Sequence, residues 1–302
     1  LTGIGPRATT VAWDFEAIGA PWQVETARPL APDVRQAVLD VVDRFDRTWS
    51  RFRDDSVVTA MAGSAGAWSD VDSAGLLLDL YDGLHRATDG SVTPLVGQAL
   101  VDLGYDADYS LVQRAEPAVP DDWAALRSRG EVAVGPDGQV RTSRPLLLDV
   151  GAAGKGLLVD LVVDVLADHG VDQATVDGSG DLRHVGAGPI RVALEHPGDA
   201  SRAVGVVEVA DGWALCASAV NRRAWGDGLH HVVDGRTGHP TRDVVATWTL
   251  VDGSCMVADG LATAHFFADP QALLDLHPHH FVRIHADGRV LRSPDLPGEL
   301  FT

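Results

Sequence analysis

Apolar residues along this chain recur in two rhythms, and glycine-rich breaks separate them. Two short alternating runs occupy residues 10–26 and predict strands, with a break at Gly19-Ala20-Pro21. From Pro32 to Ser50 the spacing changes to three and four. Val34, Ala37, Val38, Val41, Val42, Phe45 and Trp49 then share one helical face, and Pro32 suits the first turn. A second helix, capped by Asp72 or Ser73 and ended by Gly90, turns Leu76, Leu77, Leu80, Tyr81 and Leu84 inward. Asp121 opens a short helix, and residues 131–142 read as a hairpin around Pro136-Asp137-Gly138. Leu146 to Val150, apolar around Asp149, reads as a buried strand, and Leu157 to His169 reads as a helix closed by Gly170. Further strands are predicted at 174–176, 190–195, 204–209, 213–218, 229–233 and 244–251. Helices follow at 254–267 and 270–276, with a last hairpin around Asp287-Gly288. Strands and helices mix without regular alternation, so the predicted class is α+β. No repeat or linker is visible, and we expect one domain over residues 1–302, with two lobes left open.

Composition narrows the chemistry. The 302 residues are 45% hydrophobic and carry a formal net charge of −19. That charge disfavours a nucleic-acid partner, whose phosphates need lysine and arginine. It also makes an anionic ligand awkward unless a cation or a local positive pocket offsets the field. Cys216 and Cys255 lack metal-type spacing, and a disulfide between them is open. No apolar run is long enough for a transmembrane helix. Neither a signal peptide nor a lipid-bearing cysteine is visible near Leu1, so cytoplasmic and exported placements both stay open.

Several stretches could carry chemistry. Gly151, Gly154 and Gly156 surround Lys155 between a predicted strand and a helix start. Free N–H groups and the helix dipole make such a place attractive to an anion. The spacing is neither Walker A nor GxGxxG, so a plain tight turn with Lys155 in solvent stays open. A second glycine turn follows at Asp177-Gly178-Ser179-Gly180-Asp181. Asp259 and Thr263, four apart on a predicted helix, share one face and could offer two oxygens to Mg²⁺. The alternative is an exposed Asp and a Thr bonded back to its own helix. His230 and His231 fall on opposite faces of a predicted strand, so one could enter a cleft as a general base.

In order along the chain, these pieces resemble the ApbE-type FAD:protein FMN transferases, from about residue 18 to about 290. Ile18-Gly19-Ala20-Pro21-Trp22 is similar to the family's opening Met-Gly-Thr segment, and Trp49 to Ser56 to its Ser-x-Tyr/Phe-x-x-x-Ser stretch. Asp89 to Pro94 resembles Asp-Gly-x-Phe-Asp-Pro, and Leu148 to Gly156 resembles Leu-Asp-Leu-Gly-Gly-Ile-Ala-Lys-Gly. Gly178 to Leu182 is similar to Gly-Gly-Asp-Ile. His231 to Gly238 resembles His-Ile-Ile-Asp-Pro-x-Thr-Gly, and Ala258 to Ala264 resembles Ala-Asp-Ala-Leu-Ala-Thr-Ala.

The resemblance implies an α+β unit with a central flavin cleft, FAD as substrate and Mg²⁺ as cofactor. It implies transfer of FMN to a Thr or Ser of a target flavoprotein. On the matched motifs, the metal ligands would be Asp259, Thr263 and the carbonyl of Gly154, and the base would be His231. Phe52, Thr93, Gly151, Lys155, Gly178, Asp181, Asp234 and Thr237 would contact the flavin nucleotide. A metal-dependent FAD pyrophosphatase and a non-catalytic FAD-binding protein remain as alternatives. Four departures stand out: Gly154 and Gly260 for Ala, Gly235 for Pro and Ser179 for Gly. The sequence alone reads Gly235 as loosening its turn and Gly260 as costing helix propensity, about 1 kcal/mol.

Overall fold

The computed structural model describes residues 10–69, 71 and 73–301; Asp72, a candidate cap, and the chain start at Leu1 lie outside them. Chain order begins with a hairpin, β1 (Val11–Ala17) and β2 (Ala20–Thr26), then α1 (Pro32–Trp49), α2 (Val57–Gly63), β3 (Gly66–Trp68) and α3 (Ala74–Ala87). Next come α4 (Gly97–Asp102), α5 (Trp123–Ser128), the hairpin β4 (Val132–Val134) and β5 (Val140–Thr142), and α6 (Gly154–Asp168). Five strands follow: β6 (Ala174–Asp177), β7 (Asp181–Val185), β8 (Ile190–His196), β9 (Asp199–Val209) and β10 (Trp213–Ala219). A 3₁₀ turn (Val220–Arg223) leads to β11 (Ala224–Trp225), β12 (Leu229–His230) and β13 (Val244–Asp252). The chain closes with α7 (Cys255–Ala264), α8 (Pro270–Leu276), β14 (His280–His285), β15 (Val290–Arg292) and β16 (Gly298–Leu300). The class is α+β.

The main sheet runs β1-β2-β6-β7-β10-β13-β14-β15, with every pair antiparallel. Its two faces bury different layers, and β13 shows how. Ala246, Trp248 and Leu250 point to one face and meet Val192, Leu194, Val207 and Val209 of the small sheet β16-β9-β8. The alternate residues Thr247 and Thr249 point to the helical face. Their hydroxyls donate to the carbonyls of Ala262 and Ala258 on α7, at 2.6 and 2.5 Å. Period-two alternation thus selects both layers, and the buried hydroxyls are satisfied by helix carbonyls.

Helices α6 and α7 meet through two residues four apart on α6. Asp160 caps the start of α7, accepting from Ser254 Oγ, Cys255 N–H and Met256 N–H at 3.0–3.1 Å. One turn earlier, Gly156 N–H donates to Asp259 Oδ2 at 2.9 Å. A Cβ on Gly156 would lie 2.2 Å from the Cys255 carbonyl oxygen, so only glycine allows this approach. Cys216 and Cys255 are free, buried thiols with sulfurs 3.4 Å apart.

Some sequence expectations change. Residues 146–150 are extended but join no sheet. Leu146 N–H donates to Met61 O at the end of α2 and Asp149 N–H to Pro94 O in a turn, so no strand partner satisfies this backbone. The predicted strand 229–233 shrinks to Leu229–His230, with one further bridge from Val233 to Pro240. The first hairpin turns at Ile18-Gly19, both at positive φ, and Ala20 and Pro21 already belong to β2. On α3, Leu76 is 66% exposed and Leu78 is buried in its place. Helix α6 begins three residues earlier than its apolar pattern, because Gly154 and Gly156 already carry helical geometry.

A buried histidine pair closes the C-terminal end of α7. His265 and His279 join through their Nε2 atoms at 2.8 Å, His265 stacks on Phe281, and Arg283 Nη2 lies 3.5 Å from His265 Nδ1. Burial holds both imidazoles below the usual histidine value, with neighbouring positive charge adding to it. The unfolded chain would bind their protons near pH 6.5 while the folded chain resists. This stability is therefore full above about pH 6.5 and lost as pH falls from there toward the folded values. The melting temperature should hold from pH 8 to about 6.5 and then decline, less steeply in His279→Gln. A melting temperature unchanged down to pH 5, or an equal slope in the variant, would refute the assignment.

Candidate active site

A cleft of about 500 Å³ opens where the N-terminus of α6 faces α7, the end of β10 and the 3₁₀ turn. Its floor is built from Asp149 outward. Asp149 Oδ1 accepts from Gly151 N–H at 2.8 Å, and Oδ2 pairs with Arg51 Nε at 2.5 Å. Arg51 also donates to the Tyr105 carbonyl at 2.7 Å. These contacts fix the turn that delivers α6, whose dipole favours an anion.

Lys155 leaves the first turn of α6 and reaches Asp181 Oδ2 at 2.9 Å and the Ser179 carbonyl at 3.2 Å. Asp181 is fully buried on β7. Burial raises its pKa, and Lys155 opposes that rise. Burial also works against the Lys155 charge, but Asp181 and Asp259 together hold it above the ordinary lysine value. Asp259 is buried, and burial followed by the nearby Asp181 pushes its pKa well up. Such a carboxylate gains from a cation beside it.

Thr263 lies one turn along α7, and its Oγ1 is 3.5 Å from the Ala152 carbonyl oxygen. Carboxylate, hydroxyl and main-chain oxygen are hard donors of the kind Mg²⁺ takes. Among the described residues no cluster of three or more His, Cys, Asp or Glu could hold a metal. A cation here would therefore draw on hydroxyl and carbonyl oxygens, and the donor set present fits that requirement.

His231 enters from the opposite wall. Its N–H donates to the Arg223 carbonyl at 3.2 Å, and its Nδ1 lies 3.4 Å from the same oxygen. A carbonyl only accepts, so Nδ1 carries the proton and Nε2 keeps its lone pair. Burial, then the charge of Arg223, lowers the His231 pKa to about 4. The ring is thus neutral at physiological pH, as a proton acceptor must be.

The structure brings Phe52, Thr93, Gly151, Gly154, Lys155, His231, Asp259 and Thr263 to one cleft. Gly178, Asp181, Asp234 and Thr237 do not line it. Gly178 packs on the Trp22 ring, where a Cβ would come within 2.9 Å. Asp234 pairs with Arg236 at 2.7 Å, and Thr237 Oγ1 accepts from His239 N–H, so both serve the turn after His231. That turn is not loosened by Gly235. Gly235 N–H donates to Ser91 O at 2.8 Å, a bond proline could not make, and a Cβ would stand 2.4 Å from Thr93 Cγ2. Gly260 likewise lets Leu84 of α3 approach to 2.8 Å of where its Cβ would be.

Arg51, Tyr105, Arg222 and Arg223 also line the cleft and were missed by the sequence reading. Only Arg51 had a signal, its place in the aromatic Trp49 to Ser56 stretch.

Residues 18–284 match the model of the ApbE family. The chain belongs to the ApbE family. The FAD:protein FMN transferase of Treponema pallidum (strain Nichols) is 29% identical over 284 residues, covering 81% of this chain and 74% of that protein. The FAD:protein FMN transferase of Rhodobacter capsulatus is 27% identical over 97% of this chain, which spans only 59% of that longer relative. Among solved structures, the flavin transferase ApbE of Vibrio cholerae superposes with a TM-score of 0.76 at 21% identity, over 95% of this chain and 98% of that one. The ApbE protein of Thermotoga maritima gives the same TM-score and identity, over 95% and 97%. At that identity these structures establish the fold of this ApbE-family chain.

The Gly156 approach yields a direct test. Gly156→Ala sets a methyl against the Cys255 carbonyl, and overpacking of this kind costs about 1–3 kcal/mol. A clearly lower melting temperature is expected; an unchanged one would show that α6 and α7 can separate at no cost.

Proposed function

We propose that this ApbE-family protein moves the FMN part of FAD onto a Thr or Ser hydroxyl of a target flavoprotein, with Mg²⁺ bound, and releases AMP. The observation that carries the reading is the meeting of the Asp259 and Thr263 oxygens with the α6 N-terminus and Lys155, with His231 lining the same cleft. The names of the curated relatives support it.

Asp259, Thr263 and a main-chain carbonyl of the turn ending at Gly154 would hold Mg²⁺; Ala152 supplies the carbonyl that Thr263 faces. When bound, the ion supplies Lewis-acid polarisation of a phosphoryl oxygen and offsets developing charge. The positive dipole end of α6 and Lys155 orient the pyrophosphate. Neutral His231 takes the acceptor hydroxyl proton at Nε2. The hydroxyl oxygen forms a bond to the FMN phosphorus as the bond to the AMP oxygen breaks, and AMP leaves. The Arg223 carbonyl holds the imidazole in the tautomer this step needs.

The decisive experiment mixes the protein with FAD, Mg²⁺ and a domain carrying an Asp-x-x-Ser/Thr-x-Ser/Thr segment, then weighs the acceptor. A gain of one FMN mass, abolished by EDTA and by Asp259→Ala, is expected. Free FMN and AMP with an unmodified acceptor would replace the transferase reading with a pyrophosphatase. In a second arm, His231→Ala should lower transfer about 100- to 10,000-fold with FAD affinity kept. Parallel loss of binding and transfer would remove His231 from the base role.

A further inference from the structure

Phe52 is the aromatic residue of the cleft that the sequence points to as a ring contact, and its surroundings qualify that role. The buried Arg51 guanidinium lies 4.2 Å from the Phe52 ring centre. Tyr109 stacks on Phe52 with centroids 4.9 Å apart and planes 15° from parallel. Tyr109 is 48% exposed, so Arg51 backs the inner face and the phenol covers the outer one. Tyr105 meets the Phe52 edge at 5.2 Å. The Tyr109 hydroxyl also reaches Gly19 on the far rim, 3.4 Å from where a Cβ would stand, so the ring bridges two cleft-lining residues.

The loop presenting Tyr109 is tied down at its base but not at this ring. Asp106 accepts from Ser110 N–H and Oγ at 2.9 and 2.7 Å, and Leu111 N–H donates to the Gly104 carbonyl at 2.9 Å. Tyr109 and Leu111 sit at φ 50° and 52°, a left-handed conformation unfavourable for residues with a Cβ. A fixed base and a strained tip together hold one half-exposed ring against Phe52 and beside Gly19, both of which line the cleft. Half-exposed side chains change rotamer quickly, so the phenol can leave Phe52 without the loop base moving.

We propose that Tyr109 and a planar ring of the ligand compete for the outer face of Phe52, so that Tyr109 sets affinity and entry at the cleft mouth. The proposal rests on the FAD reading above. Flat aromatic surfaces stack interchangeably at this spacing, and one Phe52 face holds one partner. Removing the competitor then favours the ligand, whereas removing the platform harms it.

The test is FAD titration by flavin fluorescence, with wild type, Tyr109→Ala, Tyr109→Phe, Phe52→Ala and the double variant. Tyr109→Ala should bind FAD about three- to tenfold more tightly, with faster association. Tyr109→Phe, which keeps the ring, should match wild type. Phe52→Ala should bind more weakly, and adding Tyr109→Ala to it should change nothing further. Riboflavin and AMP titrated separately identify the stacking ring as the one whose affinity responds to Tyr109→Ala. Weaker or unchanged FAD binding in Tyr109→Ala overturns the competition and leaves the FAD reading standing. No FAD binding by any variant or by wild type overturns both.

Discussion

The contact between Gly156 on α6 and the first turns of α7 is the constraint on which the site depends. Neither helix alone makes a site. The start of α6 offers N–H donors and a positive dipole end. Helix α7 offers a carboxylate and a hydroxyl on one face. They meet because Gly156 lacks a Cβ, letting its N–H reach Asp259 while its Cα lies against the Cys255 carbonyl. Asp160, one turn on, caps α7 with the same face of α6. From the sheet side, Thr247 and Thr249 hold α7 by its carbonyls. A helix pinned at its cap, on its face and along its back presents Asp259 and Thr263 in fixed register.

Charge fits this frame. A chain with net charge −19 repels anions at long range. The cleft offsets that locally, where Lys155, Arg51, Arg222 and Arg223 line it beside Asp46, Asp149, Glu195 and Asp259. Burial raises the pKa of two carboxyls, Asp181 and Asp259, Asp181 adds to the rise at Asp259, and Lys155 opposes both. One ammonium cannot balance two buried carboxylates, so the proposed Mg²⁺ would supply the missing positive charge. In the proposed reading that ion would neutralise Asp259, while Lys155 stays paired with Asp181 at the cleft wall.

What the sequence disclosed follows physical range. Helix α1 was legible because its apolar face repeats over 18 residues, and α7 because Ser254 caps a dense apolar run. The segment 146–150 was misread because burial and strand pairing are separate properties. Leu146 and Leu148 are buried, yet the segment's hydrogen bonds go to Met61 of α2 and Pro94 of a turn. Asp259 and Thr263 could be placed on one face because their relation is local. Arg51 could not be linked to Asp149, 98 residues away, nor Trp225 to the Leu103 carbonyl, 122 residues away, because no local pattern encodes such partners. The positions of Asp234 and Thr237 outside the lining likewise depend on a turn whose close contacts appear only in three dimensions.

The glycines that depart from the family pattern show how far a motif comparison can mislead about rigidity. Read as sequence, a glycine for proline or alanine adds backbone freedom. In the fold each of these positions is filled by a neighbour. Gly235 admits Thr93 and bonds to Ser91, Gly260 admits Leu84, and Gly154 admits Val150 and Phe45. The freedom is spent on approach: the turn after His231 is drawn onto the segment carrying Ser91 and Thr93, and α7 is drawn onto α3. Backbone entropy lost at a glycine is then offset by tighter packing around the cleft. These departures are therefore alternative packing solutions that hold the same side chains in place. A comparison that scores them as losses of a motif misses the neighbours that moved in.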